Sequence, residues 1–92
     1  MAQLIIPTPL RKYTDNAATF NTDSITIEQA IEELVAEYPN IKQHLLDNND
    51  KIRGFIKVFV GEDDIRSLAG EQTELKDNDI VSIVPAIAGG VQ

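Results

Sequence analysis

The chain has 92 residues, enough for one small domain with a single undivided core, and its 42% hydrophobic content can build that core. Fifteen acidic against eight basic residues leave a net charge of -7, which argues against a nucleic-acid partner because the Lys and Arg are few and scattered. No cysteine is present, so disulfides, thiolate metal sites and a cysteine nucleophile are excluded.

Residues 3–7 read as a short buried strand in which Leu4, Ile5 and Ile6 are contiguous, ended by Pro7-Thr8-Pro9. Residues 11–14 are expected to return as its hairpin partner, 15–19 are loop by composition, and Phe20 plugs the core before residues 21–24 turn toward a helix. The apolar start is too short for a signal peptide and lacks a basic region. No segment is long enough to cross a bilayer, so the expected location is the cytoplasm, with no membrane partner.

Ile27, Ala30, Ile31, Leu34, Val35 and Tyr38 fall at i, i+3, i+4, i+7, i+8 and i+11, one apolar stripe of an amphipathic helix. Thr26 and Gln29 predict a capping box at its start, and Pro39 stops it. Glu28, Glu32, Glu33 and Glu37 take the opposite face, which is solvated or offers charge to a basic partner. Residues 41–46 predict a further helical turn. His44, the only histidine, has no second ligand at a suitable spacing and receives no role; no metal site is expected.

After a turn at 47–50, residues 55–60 form a two-faced strand. Ile56, Val58 and Val60 would meet the helix. Phe55, Lys57 and Phe59 would then occupy a sheet face that one helix cannot also cover, which suggests a partner-docking patch unless a neighbouring loop shields it. Residues 61–64 turn the chain, 65–68 are a short edge element and 69–75 are irregular. In the last strand Val81 and Ile83 share the core face, while Ser82 and Val84 share the other, near Phe59. Pro85 stops the strand, and Ala86-Ile87-Ala88-Gly89-Gly90-Val91-Gln92 follow as a small, uncharged tail. Gly89 and Gly90 lack a Cβ, so backbone there can be drawn through a narrow channel to a buried catalyst; a terminal glycine pair is otherwise simple disorder.

Two strands, a helix, two or three more strands and a last strand beside the first predict an α+β, ubiquitin-like β-grasp domain. Its mixed sheet would have four to five strands, with one main helix packed on one face. The domain is expected over residues 1–86, with a flexible tail over 87–92.

Residues 55–66, and more specifically 77–90, resemble the ubiquitin-like sulfur carriers of the MoaD/ThiS family, and the similarity runs along nearly the whole chain. Within that family the resemblance is strongest to the carrier of a cysteine-synthesis route. It implies a protein that is not itself an enzyme and binds no cofactor. An E1-like adenylating enzyme would use ATP to activate the Gly90 carboxylate, Ala88, Gly89 and Gly90 would thread its channel, and sulfur would convert the acyl-adenylate to a thiocarboxylate. A PLP-dependent cysteine synthase, or another acceptor in molybdopterin- or thiamin-type transfer, would take the sulfur. The docking residues would be Phe55, Lys57, Phe59 and Val84. Family members ready for activation end at the second glycine, whereas Val91 and Gln92 follow here, so a zinc (JAMM-type) peptidase is expected to cut between Gly90 and Val91. Two alternatives share these features: a protein modifier conjugated to lysines through Gly90, and an interaction domain that carries nothing.

Overall fold

Alternation governs the first strand: Ala2 and Leu4 point to one side and are buried, whereas Gln3 and Ile5 point to the other and stay partly exposed. The computed structural model describes residues 1–85, and this strand, β1, spans Ala2–Ile5. The contiguous buried run expected at Leu4-Ile5-Ile6 is therefore corrected at Ile5, which faces away from the core; Leu4 and Ile6 are fully buried.

Residues 11–14 are not the hairpin partner of β1. Thr8–Tyr13 form a 3-10 helix, which Pro9 favours because its fixed φ suits a first helical turn and its missing N–H has no partner to lose there. Leu10 of this turn is buried. Asp15 and Asn16 then adopt left-handed backbone angles (φ 53° and 67°), which short polar side chains tolerate, and the chain reverses. The partner strand is β2, Thr19–Thr22, antiparallel to β1 with Leu4 opposite Phe20. Phe20 packs against the core while remaining partly exposed, its ring edge-on to Tyr38 at 6.3 Å.

The helix α1 spans Ile27–Glu37, and Ile27, Ala30, Ile31 and Leu34 are buried along the predicted stripe. Thr26 Oγ1 accepts from the Gln29 N–H at 3.2 Å, as the capping motif predicts. Gln29 Oε1 reaches back one residue further than a capping box would, to the N–H of Ile25 at 3.2 Å. The Ile27 N–H, which has no acceptor inside the helix, donates to the Thr73 carbonyl, and the Leu75 N–H donates to the Ile25 carbonyl. Residues 73–75 thus strap the helix entry. Tyr38 ends α1 before Pro39, and a 3-10 turn at Pro39–Ile41 leads into α2, Lys42–Leu45.

Strand β3 is Ile56–Val60, one residue shorter than expected, because the Ile56 N–H closes a turn onto the Arg53 carbonyl and leaves Phe55 in that turn. Gly61 (φ 64°) turns the chain, and the edge strand falls at β4, Asp63–Asp64, rather than at residues 65–68; Ile65–Ser67 instead form a 3-10 helix capped by Asp64. A further 3-10 turn, Gly70–Gln72, lies in the stretch expected to be irregular. Strand β5 spans Ile80–Pro85.

The sheet has the order β2-β1-β5-β3-β4, parallel where β1 meets β5 and antiparallel elsewhere. This is the expected β-grasp arrangement: α1 covers one face over a core that includes Leu4, Leu34, Ile56, Val58, Val81 and Ile83. Pro85 does not end β5 before pairing; it is the last described residue and stands in the ladder opposite Ile56. The site tolerates it because β1 pairs only with Ile80–Ser82, so at Pro85 the strand has a neighbour on one side only. The expected boundary at residue 86 and the tail 87–92 lie outside the described residues.

Candidate functional site

The face of the sheet away from α1 carries the residues that β5, β3 and β1 point outward. Ile5, Ser82 and Phe59 form one row across the three strands, and Val84 stands opposite Lys57 in the next. Val84 is 42% exposed and Phe55 46%; Lys57 is exposed and Phe59 partly buried. Phe59 is opposite Asp64 of β4 on its other side, so it is flanked there by the edge strand rather than by a loop. Three of the four expected docking residues, Lys57, Phe59 and Val84, thus share one face, and Phe55 lies beside them in the turn that opens β3. Single exposed apolar residues such as Ile25 and Leu68 need no explanation, but apolar groups that adjoin on one face are the kind of patch that contacts a second protein.

Sequence reasoning missed two members of this face. Ile80, at 43% exposure, lies opposite Gln3, and Ile5 lies opposite Ser82. Both were legible from the same period of two that placed Ser82 and Val84, had it been carried back through Ile80 and across to β1.

The face adjoins the place where β5 finishes. Pairing of Pro85 with Ile56 fixes the last described residue to the sheet, and chain beyond it must start from that point. The expected threading residues Ala88, Gly89 and Gly90 and the expected cleavage bond, Gly90 to Val91, lie outside the described residues.

The sequence matches the ThiS family over residues 4–90. The chain belongs to that family. As a member of the ThiS family it is 34% identical over 87 residues to the sulfur carrier protein CysO of Mycobacterium tuberculosis, covering 92% of this chain and 94% of the relative. Its fold superposes on a chain in the crystal structure of the Amycolatopsis orientalis BexX/CysO complex with a TM-score of 0.88 at 32% identity, covering 98% of this chain and all of that one. The crystal structure of Mycobacterium tuberculosis CysO gives 0.85 at 30% identity, over 95% of this chain and all of that one. The ubiquitin-like β-grasp assignment therefore rests on relatives as well as on topology.

Elsewhere the surface offers little for chemistry. His44 stacks on Tyr13 with ring centroids 4.1 Å apart and an interplanar angle of 23°, half-buried. A groove of about 250 Å³ between α1 and Leu46 is floored by Ile31 and Val35 and edged by Glu28, Glu32 and Glu71, without a hydroxyl, thiol or imidazole in its lining. Among the described residues no group of three or more His, Cys, Asp or Glu is placed to hold a metal ion, and no helix is long and apolar enough to cross a membrane.

Proposed function

We propose that this chain carries sulfur as a thiocarboxylate on Gly90 and delivers it to a biosynthetic enzyme, with cysteine synthesis the favoured route. The observation that carries this reading is the extent of the family match, which runs to Gly90 and leaves Val91 and Gln92 beyond it. In the chain as written Gly90 is held in an amide bond, so a zinc-dependent, JAMM-type peptidase must first free its carboxylate. An E1-like partner then joins that carboxylate to the α-phosphate of ATP and releases pyrophosphate. Sulfide attacks the resulting carbonyl and AMP leaves, so that the thiocarboxylate remains on the glycine; a persulfide donor would first give an acyl disulfide, which a second thiol must cleave to release the thiocarboxylate and a disulfide of the donor. A carboxylate is a poor electrophile until it bears such a leaving group, and the absence of cysteine removes the chain's own thiols as competitors for the cargo.

In this scheme the outward face built on Phe55, Lys57, Phe59 and Val84 docks on the activating enzyme and later on a PLP-dependent cysteine synthase, while Ala88, Gly89 and Gly90 enter the catalytic channel. The relatedness to CysO supports this route over molybdopterin or thiamin synthesis. The test is intact mass of the protein from its native cells, followed by incubation of a form ending at Gly90 with ATP, sulfide and the host's activating enzyme. Expected are loss of Val91 and Gln92, then a gain of AMP, then a terminal oxygen replaced by sulfur. Gly-Gly remnants on lysines of other proteins, without a thiocarboxylate, would replace this reading with that of a modifier. Uncut protein as the sole species and no AMP transfer would end it.

A further inference from the structure

The basic residues look scattered in the sequence but gather in space. Parallel pairing of β1 with β5 carries the end of β1, and the turn after it with Arg11 and Lys12, toward the end of the sheet where β5 finishes. Antiparallel pairing brings the start of β3 to the same end: Lys57 is opposite Val84, and Ile56 is opposite Pro85. Arg66 Nη2 donates to the carbonyls of Gly54 (2.9 Å) and Ile56 (3.2 Å), fixing its guanidinium beside the residue that faces Pro85. Arg53 Nε donates to the Gln43 carbonyl at 2.8 Å, and Arg11 Nε to the Ile6 carbonyl at 3.0 Å. Lys12 Nζ sits 5.3 Å from the centre of the Tyr13 ring.

None of these five cations lies within ion-pair distance of a carboxylate among the described residues. Acids flank the group without forming ion pairs to it: Asp50 pairs with Lys42, Asp47 accepts from the N–H groups of Asn49 and Lys51 and keeps its charge near Arg53, and Glu71 lines a pocket with Arg66. The opposite end of the sheet is acidic. Asp79 precedes β5, Glu62 and Asp63 follow β3, and Asp23 follows β2, while Asp77 is paired with the N-terminal amine at 2.9 Å and Lys76 stands beside it. Six residues of strand separate the two ends by roughly 20 Å, more than twice the screening length of about 8 Å at physiological salt, so they act as separate patches.

We infer that Arg11, Lys12, Arg53, Lys57 and Arg66 form a cationic collar around the root of the tail, and that it receives an acidic protein surface at the mouth of the partner's tail channel. This deepens the proposed function and rests on it for the partner's role. In a chain of net charge -7 an unpaired basic collar at one end gives the molecule a direction, so that a carboxylate-lined mouth draws in the tail end and repels the other. A nucleic acid fits less well, because a polyanion longer than the collar would run onto the acidic remainder.

The inference is tested by titrating the isotope-labelled full chain with hexaglutamate and, separately, with a single-stranded DNA hexamer, following amide shifts at 50 and 300 mM salt. Expected are hexaglutamate shifts confined to residues 11–13, 53–57 and 66, abolished at 300 mM salt and in the double variant Lys12→Glu/Lys57→Glu. In the Gly90-ended form that variant should lose about tenfold in kcat/KM for AMP transfer with kcat within twofold, while Lys76→Glu matches wild type. Shifts spread over the whole chain, none at all, or tighter binding of the DNA would overturn the collar. A blank AMP-transfer assay alongside intact, localised peptide shifts would instead remove the carrier reading and leave the collar standing.

Discussion

Lys57 stands directly across from Val84 in the antiparallel β3–β5 ladder, and both are exposed on the uncovered face of the sheet. A partner that uses this face must desolvate Val84, whereas folding asks little of it. Val84→Asp is therefore expected to change stability by no more than about 1 kcal/mol in urea denaturation and to lower kcat/KM for AMP transfer by about tenfold or more. Unchanged kinetics would move the docking surface elsewhere.

Two side-chain acceptors hold the helix entry, Thr26 Oγ1 and Gln29 Oε1. Thr26→Ala removes the oxygen that takes the Gln29 N–H and should cost about 1 kcal/mol, a fall in Tm of roughly 4–8 °C for a domain of this size. Thr26→Ser keeps the acceptor and should recover most of the loss. Calorimetry of the two variants distinguishes the cap from the bulk of the side chain.

Leu34 is fully buried where α1 crosses the sheet. Leu34→Ala should destabilise by about 2–5 kcal/mol through lost transfer energy and the cavity left behind, and Leu34→Met by less than about 1.5 kcal/mol. Equal costs in chemical denaturation would mean that the site collapses freely around the smaller side chain.

Asp47 is held below the usual carboxylate range, chiefly by the Lys51 N–H and then by the Asn49 N–H, both donating to Oδ1. A depressed folded pKa gives stability that is complete above the unfolded carboxylate value of about 3.9 and is lost as pH falls through the lower folded value. Wild type should thus exceed Asp47→Ala in stability at pH 6, and the gap should narrow as the pH drops below about 4. A gap independent of pH would assign the effect to loop geometry alone.

The helix was legible because its evidence is local: six apolar residues on one stripe, a capping threonine and a terminating proline need no knowledge of the rest of the chain. The outward face was legible from alternation in β3 and β5. Strand β2 was not, since Thr19–Thr22 is mostly polar and becomes a strand only by pairing with β1, and the prolines that look like the end of a strand begin a 3-10 turn. The two-residue β4 is too short to show any period. The cationic collar was invisible for a different reason: Arg11 and Arg66 are 55 positions apart in sequence and reach the same end of the sheet only through mixed strand directions.

The strand at the middle of the sheet, β5, follows the other four in sequence, and β1 and β3 touch only through it. During synthesis the ribosome must therefore deliver residue 85 before the hydrophobic interior can close. An unfinished chain has a gap where its central strand belongs, so any enzyme that requires a folded body sees this protein only once translation has passed the whole domain.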